Sequence, residues 1–219
     1  MALINSYATL TQSLIDFSGR DTLAAYTDYF IQDGEDRIYR KTLAINEGNG
    51  LKWMENALTG TISATTGYLA VPSDYLTLKG ALVVTGDGTF DLTTKEAQWI
   101  YACYSVRAPQ GTPAYIAREG SNFIFGPFPD MAYTIAGTYY QRATPLSAAN
   151  TTSWMTVNIP LTLHASCMVS VAKFLKDPAS AQAWNAELND RLSDICSADK
   201  AERYSGGSLV INTNSPTIW

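Results

Sequence analysis

Apolar residues recur at helical spacing near both ends of the chain and at strand spacing between them. Tyr7, Leu10, Leu14 and Phe17 lie on one stripe of a first helix that Asn5 or Ser6 can cap and Gly19 ends. Asp21 can cap a second helix, with Leu23, Tyr26, Phe30 and Ile38 on one side and Asp28, Gln32, Asp36 and Arg40 on the other. Gly34 falls on the apolar side, where the missing side chain permits close approach of another helix.

From about Thr42 to Pro145 the pattern changes to short β-branched or alternating segments bounded by Gly, Pro, Asp and Asn. Strands are predicted near Trp53–Ile62, Leu76–Thr85, Tyr115–Arg118, Asn122–Phe125 and Tyr133–Arg142. Glu119-Gly120 marks a hairpin, and Thr85-Gly86-Asp87-Gly88-Thr89 marks another that precedes a strand. One helix, Lys95 to Tyr104 with Thr93 or Thr94 as cap, interrupts the strands.

Helical periodicity returns after Trp154. Pro160 suits a first helical position, and Leu161, Leu163, Met168, Val171, Phe174 and Leu175 make a helix apolar on most sides, which must sit centrally. Asp177-Pro178 then opens a long last helix to about Tyr204, with Trp184, Leu188, Leu192 and Ile195 as its buried stripe. Gly206-Gly207 sets off an extended apolar arm containing Leu209, Val210, Ile211, Ile218 and Trp219.

Composition adds limits. Aromatic content of 11%, with 13 Tyr and 5 Trp, suits wide packed surfaces and interfaces. A net charge of −5 without a cationic run argues against gripping nucleic acid by its phosphates. Leu161–Leu175 is too short and too polar to span a bilayer, so no membrane partner is expected. Cys103, Cys167 and Cys196 are odd in number and far apart, which fits buried free thiols without disulfides.

Catalytic readings find little support. His164, the single histidine, lies in the most apolar helix, where a packed or interface role fits better than a triad. With Cys103, Cys167 and Cys196 it lacks the close Cys pair of a zinc site. Glu47 and Glu55, or Asp87 and Asp91, could be imagined as the acid–base pair of a cell-wall hydrolase, but turn and surface roles explain them. No catalytic, metal-binding or cofactor-binding residue is assigned, and no cofactor is expected.

Several blocks, taken in order, resemble the adaptor (head-to-tail connector, or head-completion) proteins of tailed bacteriophages. They are Phe30 to Arg40, Val71-Pro72-Ser73-Asp74-Tyr75-Leu76, Gly111-Thr112-Pro113, Gly126-Pro127-Phe128-Pro129-Asp130 with Ala132 to Ile135, Tyr139-Tyr140, and Pro145-Leu146-Ser147. Asn150 to Trp154, Phe174-Leu175-Lys176-Asp177 and the long final helix complete the likeness. Each block is a structural pattern without a catalytic group.

The resemblance implies an α+β fold, with a helical bundle formed by the N- and C-terminal helices, an inserted β-rich domain and an extended C-terminal arm. The units expected are residues 1–41 plus 146–205, 42–145 and 206–219. It further implies a non-enzymatic virion protein at the neck, made in the host cytoplasm, that docks on the portal protein as a homo-oligomeric ring, dodecameric in the family. Such a ring extends the channel, lets double-stranded DNA pass without specific binding, and carries tail and nozzle proteins.

Leu209, Val210, Ile211, Ile218 and Trp219 are then the expected portal-docking arm; folding back over the bundle, or fraying, fits the same residues. Pro127, Phe128 and Pro129 form a rigid, exposed-looking turn that could touch the tail or merely join two strands. A tail-associated glycan-binding module and a cell-wall hydrolase are the alternatives from other functional classes.

Overall fold

The computed structural model describes residues 3–86, 88–105 and 109–204. Ser6 caps α1 (Tyr7–Ser18), receiving the Thr9 backbone N–H on its hydroxyl while its own N–H donates to the Thr9 hydroxyl at 3.0 Å. Gly19 closes this helix at φ 62°, a conformation glycine adopts without steric cost. Asp21 does not cap an α-helix as expected. It begins a 3-10 stretch, Asp21–Tyr26, that brings Leu23 into the core and leaves Tyr26 exposed, and α2 starts only at Thr27 (Thr27–Ile45).

The strand-rich region rolls up around its own core. It comprises β1 (Glu55–Ile62), β2 (Tyr68–Ala70), β3 (Tyr75–Thr85), β4 (Gly88–Thr94), β5 (Tyr115–Glu119), β6 (Asn122–Gly126) and β7 (Tyr133–Gln141). Their order is β1-β7-β3-β4-β5-β6-β2, antiparallel except for the short parallel pairing of Thr93 and Thr94 with Tyr115 and Ile116. The two edge strands touch: a Cβ on Gly60 of β1 would lie 2.5 Å from a Leu69 methyl of β2, so the sheet is nearly a closed barrel. Leu58, Ile62, Val83, Ile116, Phe123, Phe125, Ile135 and Tyr139 fill it.

Both hairpin signals form tight turns, with Thr85 opposite Gly88 and Glu119 opposite Asn122. Thr93 and Thr94, expected as helix caps, belong instead to β4, because their pairing with β5 supplies backbone partners that a cap would forgo. The interrupting helix is correspondingly shorter, α3 (Ala97–Cys103), and packs Ile100 against Ala117 and Ile124 on the barrel's outside.

Beyond a short α4 (Trp154–Asn158), Pro160 begins α5 (Pro160–Phe174), and Asp177 caps α6 (Pro178–Tyr204) by accepting the Ser180 N–H at 3.0 Å. Every residue of α5 from Thr162 to Ala172 is buried. That is possible because α1, α2, α4 and α6 all pack on it. Leu10, Leu14, Phe30, Ile38, Leu163, Met168, Leu188 and Leu192 therefore share one core although they come from opposite chain ends.

Gly34 marks the closest approach of α2 to α5: a Cβ there would lie 2.6 Å from Cys167 Sγ and 3.1 Å from its backbone nitrogen. The Ser166 hydroxyl donates to the Gly34 carbonyl at 2.8 Å beside this contact. Gly34→Ala should destabilise the protein by about 1–3 kcal/mol through overpacking. Adding Cys167→Ala should restore part of the loss; urea unfolding of the single and double variants reads both effects.

Candidate assembly interface

Rigid presentation of any contact surface depends on the joint between helices and barrel. In β7 the neighbours Tyr139 and Tyr140 point to opposite sides, Tyr139 into the barrel core and Tyr140 into the helical core. Arg203 of α6 donates to the Tyr140 hydroxyl and the Gly50 carbonyl, each at 3.0 Å, and pairs with Asp199 at 2.7 Å and Glu55 at 3.0 Å. Lys79 of β3 meets the same Glu55 oxygen at 2.8 Å, and Asp199 accepts the Lys52 N–H at 2.8 Å.

A second joint holds the return crossing from β7 to α4. Arg142 pairs with Asp36 and lies over the Tyr39 ring, whose hydroxyl accepts the Ala143 N–H at 2.8 Å. One residue group further, the Leu146 N–H faces both Glu35 oxygens at 3.4 Å. Helix α2 thus clamps the crossing along one face, and helices and barrel meet through hydrogen bonds on both strands of the connection.

Among the described residues, apolar groups are open to solvent at several places, of which three are the best formed. Tyr26, at the end of the 3-10 stretch, lies 5.0 Å from the Phe174 ring at the end of α5, and Phe30 links Phe174 to Tyr29 of α2, which is 62% exposed. Trp53, stacked on Trp154, joins Ile159, Leu161 and Ile195 around a cavity of about 330 Å³. On the barrel, Val84, Phe90 and Met131 border a cleft of about 430 Å³ between the β3–β4 hairpin and the loop before β7. Exposed apolar groups gathered this way are features of interaction surfaces rather than of solvated ones.

The Pro127–Pro129 turn is more embedded than its sequence suggests. Pro129 is buried, Phe128 is half-buried, and the Phe128 ring packs over Gly67, where a Cβ would collide with it. The Gly126–Pro127 bond is cis, and the Phe128 carbonyl accepts the Gly111 N–H at 2.9 Å. The arm residues Leu209, Val210, Ile211, Ile218 and Trp219 lie outside the described residues, as does Asp87.

Groups with catalytic potential are occupied by packing. His164 is enclosed by Phe17 and Trp184, at ring distances of 4.7 and 5.8 Å, and burial pushes its pKa down to about 4. Burial likewise pushes the Cys167 and Cys196 thiols up, whereas Cys103 is exposed, contrary to the expectation of three buried thiols, because α3 lies on the outside of the barrel. Glu55 is committed to Arg203 and Lys79. Burial raises Glu35 to about 7, but it serves the α2 clamp inside the helical core.

The chain is thus an α+β body with a helical unit built from both chain ends, a barrel joined to it by hydrogen bonds and ion pairs, and apolar faces that the described residues leave open. The family model described as SU10 adaptor protein matches residues 3–212, and the chain belongs to that family. Its role is accordingly structural and non-catalytic, that of a head-to-tail adaptor in the virion, associated with portal and tail components. A comparison with curated protein sequences returned no match. Among the described residues no group of three or more His, Cys, Asp and Glu side chains is placed to hold a metal, and no helix is long and apolar enough to cross a membrane.

Sequence reasoning missed the Tyr26–Tyr29–Phe174 surface, because Tyr26 and Phe174 sit at positions that periodicity assigns to the core. It also missed Trp53, placed there in a strand but located in a 3-10 turn before β1. His164 is legible in the sequence as a packed or interface residue of the most apolar helix, whereas buried Glu35 could have been flagged only by noting an ionisable residue on an apolar helix face.

These two groups act on stability in opposite senses. Glu35, ordinarily near 4.5, is held protonated up to about 7 in the fold, so its contribution is full below pH 4.5 and is lost as pH rises to 7. His164, ordinarily near 6.5, stays neutral down to about 4, so its contribution is full above pH 6.5 and is lost as pH falls to 4. Over most of this window the two offset each other. Glu35→Gln should therefore lose about 3 kcal/mol more stability than the parent between pH 7 and pH 4.5, read from urea midpoints; an equal pH dependence would refute this assignment.

Proposed function

We propose that copies of this chain form a closed ring beneath the portal, a dodecamer as the family resemblance suggests, at the neck of the particle between head and tail. The observation that carries this reading is the set of separate apolar surfaces on one rigid body, at Tyr26–Tyr29–Phe174 on the helices and at Val84–Phe90–Met131 on the barrel. A ring closes through heterologous contacts, so each subunit must offer different faces to its two neighbours, and the spacing between faces must not vary. Aromatic-rich faces supply the buried area for such contacts, with polar groups setting register.

In this reading residues 1–41 with 146–205 form the ring's helical unit, 42–145 the inserted barrel, and 206–219 the arm. Leu209, Val210, Ile211, Ile218 and Trp219 dock on the portal protein, and the turn at Pro127, Phe128 and Pro129 belongs to the surface that receives tail and nozzle proteins. The net charge of −5 favours passage of double-stranded DNA through the channel without specific binding. The protein is made in the host cytoplasm and is incorporated as the head is completed.

Electron microscopy of the protein mixed with its cognate portal should show an additional closed layer of density. Removing residues 209–219 should leave folding intact and abolish that layer. Docking that survives the deletion would exclude the arm, and absence of any layer with the intact protein would exclude the ring.

A further inference from the structure

The groove formed by Trp53, Ile159, Leu161 and Ile195 is an apolar surface that the described residues leave uncovered. Trp53 comes from the 3-10 turn before β1, Ile159 and Leu161 from the α4–α5 corner, and Ile195 from α6. Leu161 is 54% exposed and the neighbouring Val157 69%. Polar groups rim it: Asn158, Thr162, Arg191 and Asp194. A channel with apolar walls and a polar rim fits an apolar peptide segment, whose side chains enter while its backbone polar groups meet the rim.

We propose that in the free subunit this groove is occupied by the chain's own C-terminal tail, with Leu209, Val210 and Ile211 against Trp53 and Leu161. The position of the last helix supports this occupant. Helix α6 lines the groove at Asp194 and Ile195 and continues to Tyr204, about 14 Å further along its axis. Gly206-Gly207 follows at once, where the chain can reverse. Leu209 to Ile211 then lie five to seven residues past the helix end, a reach of roughly 16–23 Å when extended. A tail folded back along α6 therefore delivers its most apolar run to the groove without spare length.

Tethering decides between the chain's own tail and that of another copy. A segment joined by a short linker has an effective concentration on the order of millimolar, well above that of a second molecule in dilute solution. The tail thereby covers Trp53 and Leu161 until something else engages it. This concerns the unassembled subunit and stands whether or not the arm later docks on a portal.

Cysteine trapping in the full chain tests the contact. Exposed Cys103 is first replaced (Cys103→Ser), and Leu161→Cys is combined with Val210→Cys; both new positions tolerate change because Leu161 is exposed and Val210 lies beyond α6. After mild oxidation, the monomer fraction should contain a disulfide-linked pair of peptides carrying residues 161 and 210. The control pair Tyr29→Cys with Val210→Cys, at the far end of α5, should give none. In Leu161→Glu, protease should remove the tail several-fold faster while the body still unfolds in one cooperative transition. No 161–210 link, a link found only between copies, or equal linking of the control would each overturn the proposal.

Discussion

A helix that is apolar on almost every side has to be covered on every side, and α5 imposes that requirement on the whole chain. Eleven consecutive residues, Thr162 to Ala172, are buried. No single neighbouring helix hides so much surface, so α1, α2 and α4 arrive from before it in sequence and α6 from after it. Leaving Leu163, Met168, Val169 or Val171 in water would forfeit about 1.5–3 kcal/mol each. The closest of these contacts is at Gly34 and Cys167, where absence of a side chain lets α2 and α5 approach near enough for Ser166 to bond the Gly34 carbonyl.

Once the chain ends are committed to α5, the intervening residues must leave the helical unit and come back to it nearly at the same place. The barrel satisfies this because β1 and β7 are paired neighbours, Glu55 opposite Tyr140 at the joint. Arg203 and Lys79 converge on Glu55 there, while the α2 residues Glu35, Asp36 and Tyr39 hold the returning strand's continuation. Partly exposed pairs of this kind contribute little individually. Their value lies in geometry, since several together with the buried Tyr140 fix the orientation of barrel to bundle that an assembling subunit needs.

The exposed surfaces follow from the same economy of cover. Phe174 and Leu161 sit at the two ends of α5, beyond the stretch the neighbouring helices enclose, and each is joined by aromatic groups from elsewhere: Tyr26 at one end and Trp53 at the other. The central helix is thus sealed along its middle and open at its ends, which places apolar contact area at separate locations on one rigid unit.

Periodicity, caps and turn residues carry local information, and here they sufficed for the helices opened by Ser6, Pro160 and Asp177, for both tight hairpins, and for the reading of Gly34 as a close-contact position. The ordered blocks from Phe30 to Asp177 likewise pointed to the adaptor family. Local patterns could not show that β4 continues through Thr93 and Thr94, because only the partner strand β5 makes the extended form preferable to a cap. Nor could they show that Tyr26 and Phe174 are exposed or that Pro129 is buried, since burial is decided by what other segments cover. Sequence by itself determined the helices that Ser6, Pro160 and Asp177 open and that α5 must be central; the tertiary structure alone decided where its cover runs out, because a surface is left open only in relation to all the neighbours that pack around it.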